Sequence, residues 1–430
     1  MKDRDPRSSP WPVVGLLLVT ATASYLCRVN ISTAGALLME EFALSQVAMG
    51  RVFSAFLLGY ALCQIPAGAV ADRFGAKRTL ATAAVGWTAL TLAQSAVGWD
   101  ALPFGAGATM ILLLVLRFLL GVAEAPTYPG AAAGISRWVP AVQQGRATGI
   151  VIASIGLGSA LAPPLVSSLM VRFGWRVALA ISALPALAVA LVWTRVAEPG
   201  SRIASTGTKS APLPANGITA PARRRGWSFF LLTASYSLQG YLGYIFVFWF
   251  YLYLVQERKF GLLEGAWVAS LPWLLSIASI PLGGFLSDRL VVGRLGPVWG
   301  RRTVPILGLG LSGILTSVGA HTESPAVAAV SLALATAFVL SVEGAFWATM
   351  MGLAGSKSGT AGGIMNMGSN VGGLISPVLT PLLAQRIGWE NALHFAGVLG
   401  LLAAALWLGI DPARESPSPN DMAHAEPEIG

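Results

Sequence analysis

Charge is scarce in this sequence. Asp, Glu, Lys and Arg make up 11% of its 430 residues, against about 25% in an average soluble domain. A water-soluble body of this size has too much surface to cover with so few charges, which argues against a soluble fold. Cysteine is nearly absent as well. Cys27 and Cys63 both fall inside apolar runs, so no disulfide framework is expected. The three histidines, His321, His394 and His424, are scattered and suggest no metal site. No Gly-x-x-x-x-Gly-Lys-Ser/Thr loop occurs, so direct coupling to nucleotide hydrolysis has no support. No enzyme signature and no cofactor is expected.

What the chain has in abundance is apolar sequence, 55% of residues, arranged in long runs. Crossing roughly 30 Å of hydrocarbon takes about 20 helical residues. Twelve runs qualify, near 12–38, 47–70, 79–97, 106–133, 145–170, 176–196, 227–254, 265–288, 303–320, 325–352, 360–384 and 390–410. The first continues past the length of a signal-peptide core without a small-residue cleavage site. An all-α membrane protein of twelve transmembrane helices follows.

An even number of spans puts both termini on one side. Most of the 28 Lys and Arg residues then share that side, leaving Arg51, Arg172, Arg176, Arg258, Lys259 and Arg386 opposite. Basic residues are retained in the cytoplasm, so both termini are expected there. The same rule accounts for the net charge of +9 without nucleic acid. The Ser/Thr/Pro/Ala/Gly-rich segment 197–226 ends in Arg223-Arg224-Arg225 and reads as a disordered cytoplasmic linker touching anionic lipid. It divides a six-helix bundle over 1–196 from another over 227–412, and 413–430 reads as a disordered tail.

The halves repeat each other. Arg172-Phe173-Gly174-Trp175 returns as Arg386-Ile387-Gly388-Trp389, and Gly149, Gly158 and Pro163 return as Gly363, Gly372 and Pro377. Gly68-Ala69-Val70-Ala71-Asp72-Arg73 returns as Gly284-Phe285-Leu286-Ser287-Asp288-Arg289. Duplicated six-helix units mark transporters that hold substrate between two bundles near the midplane. The loop after span 2 carries Gly68 and Gly75 for tight turns or close approach, Asp72 for a helix end, and Arg73, Lys77 and Arg78. With its copy at Asp288 and Arg289, it reads either as a conformational latch or as a topology anchor alone.

GAVADRFGAKR, Gly68 to Arg78, resembles the span 2–3 signature of the major facilitator superfamily. That resemblance implies two pseudo-symmetric bundles and alternating access. Three further stretches resemble the anion:cation symporter family, which includes bacterial sugar-acid importers, animal sialin and vesicular glutamate transporters. They are Arg28-Val29-Asn30-Ile31-Ser32, Tyr60-Ala61-Leu62-Cys63-Gln64-Ile65-Pro66 and Arg117-Phe118-Leu119-Leu120-Gly121-Val122-Ala123-Glu124-Ala125-Pro126. The resemblance implies that Arg28 holds the substrate anion and that Glu124 is a protonation site. Many bacterial members carry Asp immediately before the span 1 arginine, where this chain has Cys27.

Ionisable groups at membrane depth cost about 2.5–3.5 kcal/mol on insertion scales and so face protein or water. Tyr25 and Arg28 share one helix face with Ser32, and a guanidinium fork matches a carboxylate. Arg28 therefore reads as an anion ligand or as half of a structural ion pair. Arg117 and Glu124 share a face of span 4. Burial disfavours an ionised carboxylate and a nearby cation favours it. Moving Arg117 or Arg28 would thus switch proton affinity at Glu124, unless the group is a fixed brace. Glu343 in span 10 faces the cavity, pairs with a cation or lies beside a gate, and with Glu124 and Arg117 it is a candidate for proton coupling that could compensate for Cys27. Tyr60, Gln239, Asn366 and Asn370 suit a hydroxylated ligand, since each dehydrated hydroxyl needs a partner. The expectation is a monomeric, proton- or cation-coupled symporter of a small organic anion in a bacterial cytoplasmic membrane. An exporter of drugs or lipids is the alternative.

Overall fold

In lipid every backbone N–H and C=O must be satisfied within its own segment, which leaves helices as the form these apolar runs adopt. The computed structural model describes residues 10–98, 106–196, 222–354 and 358–412, and no strand occurs among them. The first half holds α1 (Trp11–Glu41), α2 (Gln46–Ser95), α3 (Ala106–Glu124), α4 (Thr127–Trp138), α5 (Ala141–Ile152), α6 (Ser154–Ser182) and α7 (Leu184–Arg195). The second holds α8 (Ala222–Phe248), α9 (Phe250–Gln256), α10 (Leu262–Val292), α11 (Gly296–His321), α12 (Pro325–Ser341), α13 (Glu343–Ala354) and α14 (Ser358–Leu406).

Nine segments among the described residues are long and apolar enough to cross a membrane, counting the bent pair α8–α9 as one. Three of them run to 50, 50 and 49 residues, about twice what one crossing needs. Each of these is broken at one glycine with positive φ: Gly75 (φ 81°, ψ 162°), Gly174 (77°, 166°) and Gly388 (83°, 158°). That conformation is open essentially to glycine alone. Each double segment therefore supplies two spans, which makes twelve. Gly174 and Gly388 occupy equivalent places in the sequence repeat, so the duplication extends to backbone geometry. Pro163, Pro164 and Pro377 stay within helix rather than ending it.

Five spans are interrupted. Span 4 breaks between α3 and α4 at Ala125-Pro126, span 5 at Ala153, span 6 at Ala183, span 7 at Trp249 and span 10 at Val342. The second bundle begins earlier than expected. Helix α8 starts at Ala222, so the basic triplet belongs to its first turns, and the expected linker shrinks to residues outside the described part. The expected tail, 413–430, also lies outside the described residues.

The two bundles meet over the half of the molecule remote from the termini. There Ser54 Oγ donates to the Leu374 carbonyl (2.7 Å), Ser270 Oγ to that of Ala160 (2.7 Å), and the Ser167 and Tyr251 hydroxyls share a hydrogen bond (2.8 Å). Phe53 of span 2 stacks on Phe248 of span 7, with centroids 4.9 Å apart at 11°. Nearer the termini, one side-chain hydrogen bond joins the bundles among the described residues, from Asn366 Nδ2 to Gln64 Oε1 (2.9 Å). Beside it Leu62, Ile65 and Val70 of span 2 are exposed. Among the described residues the hydrogen bonds between the bundles thus thin out towards the terminal side.

Candidate functional site

The charges at membrane depth come together at mid-span. Arg28 stands near the middle of α1, and both Nε and Nη2 lie 3.1 Å from Glu124 Oε1. Its Nη1 donates to the Tyr25 hydroxyl (3.3 Å). The guanidinium is boxed by the rings of Tyr25, Tyr60 and Phe56, at 4.5, 4.7 and 5.0 Å from their centroids. Arg28 is 4% exposed and Glu124 0%. In so dry a place neither charge is tolerable without the other. Glu124 closes α3 just before Pro126, which lacks an N–H and interrupts the span there. Its Oε2 is buried without a hydrogen bond, because the nearby Ser24 hydroxyl is turned to the Ala21 carbonyl (2.9 Å).

Arg117 behaves differently from expectation. It is 0% exposed and makes no ion pair with Glu124. Instead Nη2 donates to the Arg28 carbonyl (3.1 Å) and Nη1 to that of Cys27 (3.5 Å). Its guanidinium lies 4.8 Å from the Phe56 ring centre. Arg117 therefore clamps the backbone of span 1 behind Arg28, and the direct counter-ion of Glu124 is Arg28. An arginine cannot be assigned to a carboxylate or a carbonyl from its place on one helix, since the choice depends on what the facing helix offers.

The second bundle carries a related cluster around Glu343. Tyr236 donates its hydroxyl to Oε2 and Gln239 donates Nε2 to Oε1, each at 2.9 Å. The Trp347 side chain stands beside the same carboxylate. Tyr236 and Gln239 are three residues apart in span 7, as Tyr25 and Arg28 are in span 1. Glu343 and Trp347 are four apart in span 10, as Glu124 and Tyr128 are in span 4. Both acids sit where their span is interrupted. The copy substitutes an amide for the guanidinium, and no cation pairs with Glu343 among the described residues. Glu343 is half-buried rather than sealed.

Of the polar residues expected to meet substrate, Tyr60 and Tyr25 flank Arg28, and Gln239 is engaged with Glu343. Asn370 Oδ1 accepts from the Tyr244 hydroxyl (3.5 Å). Asn366 bridges to Gln64 across the two bundles. Phe56 and Gln64 were missed by sequence reasoning. The stripe Phe56, Tyr60, Gln64, four residues apart along span 2, is the signal that would have found both.

The loop residues separate into two groups. Gly75 makes the turn, whereas a side chain at Gly68 would meet open space, so the expected close approach there is absent. Asp72 is exposed, and its backbone carbonyl accepts from Arg137 Nη2 (3.3 Å). Arg73 lies over Phe74 (5.4 Å) and Arg78 is exposed. In the copy, Asp288 pairs with Arg301 at the start of span 9, while Arg289 is exposed.

Twelve spans in two related bundles around buried mid-membrane charges define a polytopic transporter fold. Residues 17–354 and 290–427 match the family model of the Major Facilitator Superfamily, and the chain belongs to that superfamily. It is 31% identical over 428 residues to a probable sulfoacetate transporter, SauU, of Cupriavidus necator, covering 96% of each chain. It is 28% identical to the hexuronate transporter of Bacillus subtilis, over 91% of this chain and 92% of the other. A bacterial homologue of the lysosomal transporter Spinster, inward-facing and unoccupied, superposes with a TM-score of 0.78 at 18% identity, covering 96% of this chain and all of the other. The inward-open xylose transporter XylE of E. coli gives 0.76 at 15% identity, covering 97% and 100%. The protein is a multi-pass membrane transporter and not an enzyme.

Proposed function

We propose that this chain imports a small organic anion, a sugar acid or another carboxylate, together with a proton across a bacterial cytoplasmic membrane. One observation carries the reading: the Arg28–Glu124 pair, dry and isolated at mid-membrane. Of the two mid-membrane guanidiniums, Arg117 donates to backbone carbonyls and Arg28 offers its edge to a side chain, which Glu124 occupies. A substrate carboxylate needs the same edge. When Glu124 takes a proton, Arg28 is released and the anion becomes its counter-ion. When the anion leaves, Glu124 loses its proton and takes Arg28 back. Either exchange alone would leave a buried charge uncompensated, so anion and proton travel together. Tyr25, Tyr60 and Asn370 line the approach, and Asn366 joins them when its bond to Gln64 opens.

The transporters of sulfoacetate and hexuronate named above support an anionic substrate, and the basic residues gathered on the terminal side support cytoplasmic termini. With that orientation the more loosely joined ends of the bundles face the cytoplasm and form the entrance on that side. Alternating access then requires the seal around Ser54, Phe53 and Ser270 to part while the loops at Gly75 and Asp288 close. The test is uptake into proteoliposomes of a panel of carboxylates under an imposed pH gradient. Wild type is expected to accumulate its substrate, and Glu124→Gln to exchange it without accumulation. Full accumulation by Glu124→Gln would refute the proton role.

A further inference from the structure

We propose that Glu343, framed by Tyr236 and Trp347, is a subsite for an ammonium group, so that the transported acid is a zwitterion. The inference rests on the reading of Arg28 as the anion ligand. It adds a second, oppositely charged point of attachment.

Glu343 is an acid at membrane depth that is held only by neutral donors, the Tyr236 hydroxyl and the Gln239 amide. Each carboxylate oxygen accepts one of these bonds, which leaves acceptor positions free on both. The group is fixed in place, and no cation pairs with it among the described residues. Helix α13 touches α8, α10, α11 and α14 of its own bundle. Glu343, Trp347 and Met351 stand four residues apart along it; the Glu343 carboxylate is held by Tyr236 and Gln239 of span 7, while Trp347 and Met351 are exposed.

The surroundings suit an organic cation. The rings of Tyr236 and Phe346 lie 4.8 Å apart, and the Trp347 indole stands at the carboxylate. Aromatic faces attract ammonium groups when water is excluded. A metal ion would need more ligands, and no group of three His, Cys, Asp or Glu side chains gathers among the described residues. Tyr244 lies on span 7 with Tyr236 and Gln239 and donates its hydroxyl to Asn370 Oδ1 (3.5 Å). A ligand held at both ends would lie along span 7, with its acid end on Arg28 and its ammonium end on Glu343.

Binding to the purified full-length protein tests this, using ω-amino acids of two to six carbons, each against the unsubstituted acid and the diacid of matching length. γ-Aminobutyrate, butyrate and glutarate form one such set. At the best length the zwitterion is expected to bind at least tenfold more tightly than the monoacid. Glu343→Gln should collapse that ratio towards one, and Glu343→Lys should invert it in favour of the diacid. The wild-type ratio decides the matter if either variant fails to fold. Acids that bind through Arg28, lost in Arg28→Ala, with no advantage for the zwitterion at any length, would overturn this inference and leave the anion site standing. No Arg28-dependent binding of any member would overturn both.

Discussion

The two bundles solve the same problem, an acid at mid-membrane, in two ways. Glu124 is sealed at 0% exposure and takes a guanidinium as partner. Glu343 is half-buried and takes a phenol and an amide. Tyr25 and Tyr236 are alike in spacing, but Tyr25 accepts from Arg28 and Tyr236 donates to Glu343; the exchange that changes the charge is Arg28 against Gln239. A sealed carboxylate requires a counter-charge or a proton. Glu343 has neutral donors and no cation paired with it among the described residues. The duplication therefore leaves one acid paired with a guanidinium and the other without a counter-charge.

Removing the guanidinium should produce the largest effect. Arg28→Ala deletes the anion ligand and strands Glu124, and losing one partner of a buried pair costs about 3–5 kcal/mol. Initial uptake in proteoliposomes is expected to fall at least about 100-fold, as that energy implies. Near-normal uptake would make the first cluster no more than a brace. Glu124→Gln is expected next: concentrative uptake falls at least about tenfold, an effect of about 1.4 kcal/mol, while counterflow exchange persists. Loss of counterflow together with accumulation would make Glu124 part of the anion site instead.

Gln239→Arg turns the second cluster into a copy of the first. An internal cation would then occupy Glu343, and charge-assisted hydrogen bonds contribute about 1.5–3 kcal/mol. The variant should melt higher in detergent than wild type and take up substrate about tenfold more slowly, the kinetic equivalent of about 1.4 kcal/mol. Unchanged uptake would show that Glu343 is not part of the route. The smallest effect belongs to the loops. Asp288 is paired with Arg301 but its side chain is 69% exposed, and exposed pairs contribute about 0–1 kcal/mol. Asp288→Asn should leave the melting temperature nearly unchanged, and a fall in uptake without a fall in stability would assign the pair to gating.

The architecture was legible because lipid makes sequence and structure correspond closely. Runs of spanning length must be helices, and the breaks at Gly174 and Gly388 fell where the repeat put them. The early start of α8 was not legible, because Arg223-Arg224-Arg225 reads as linker when judged by charge alone, although a helix can extend past the membrane into water. The site was legible as a set of residue types. Arg28, Glu124 and Glu343 stand out as charges inside apolar runs, whereas Phe56 is one aromatic among many and nothing marks it until two guanidiniums are seen to rest on it. Gln239 and Asn366 were recognised as polar groups in the membrane, but their partners Glu343 and Gln64 lie far along the chain.

By itself the sequence determined that the chain spans a membrane twelve times, that its halves are related, and which few side chains carry charge at depth. Those are consequences of composition and spacing, which act along a single helix. Only the tertiary structure decided who meets whom: that Arg28 rather than Arg117 holds Glu124, that Arg117 clamps the backbone of span 1, and that Glu343 is left with neutral partners. Each such choice is made between helices distant in sequence, by whichever group fills the facing position, and no periodicity within one helix encodes it.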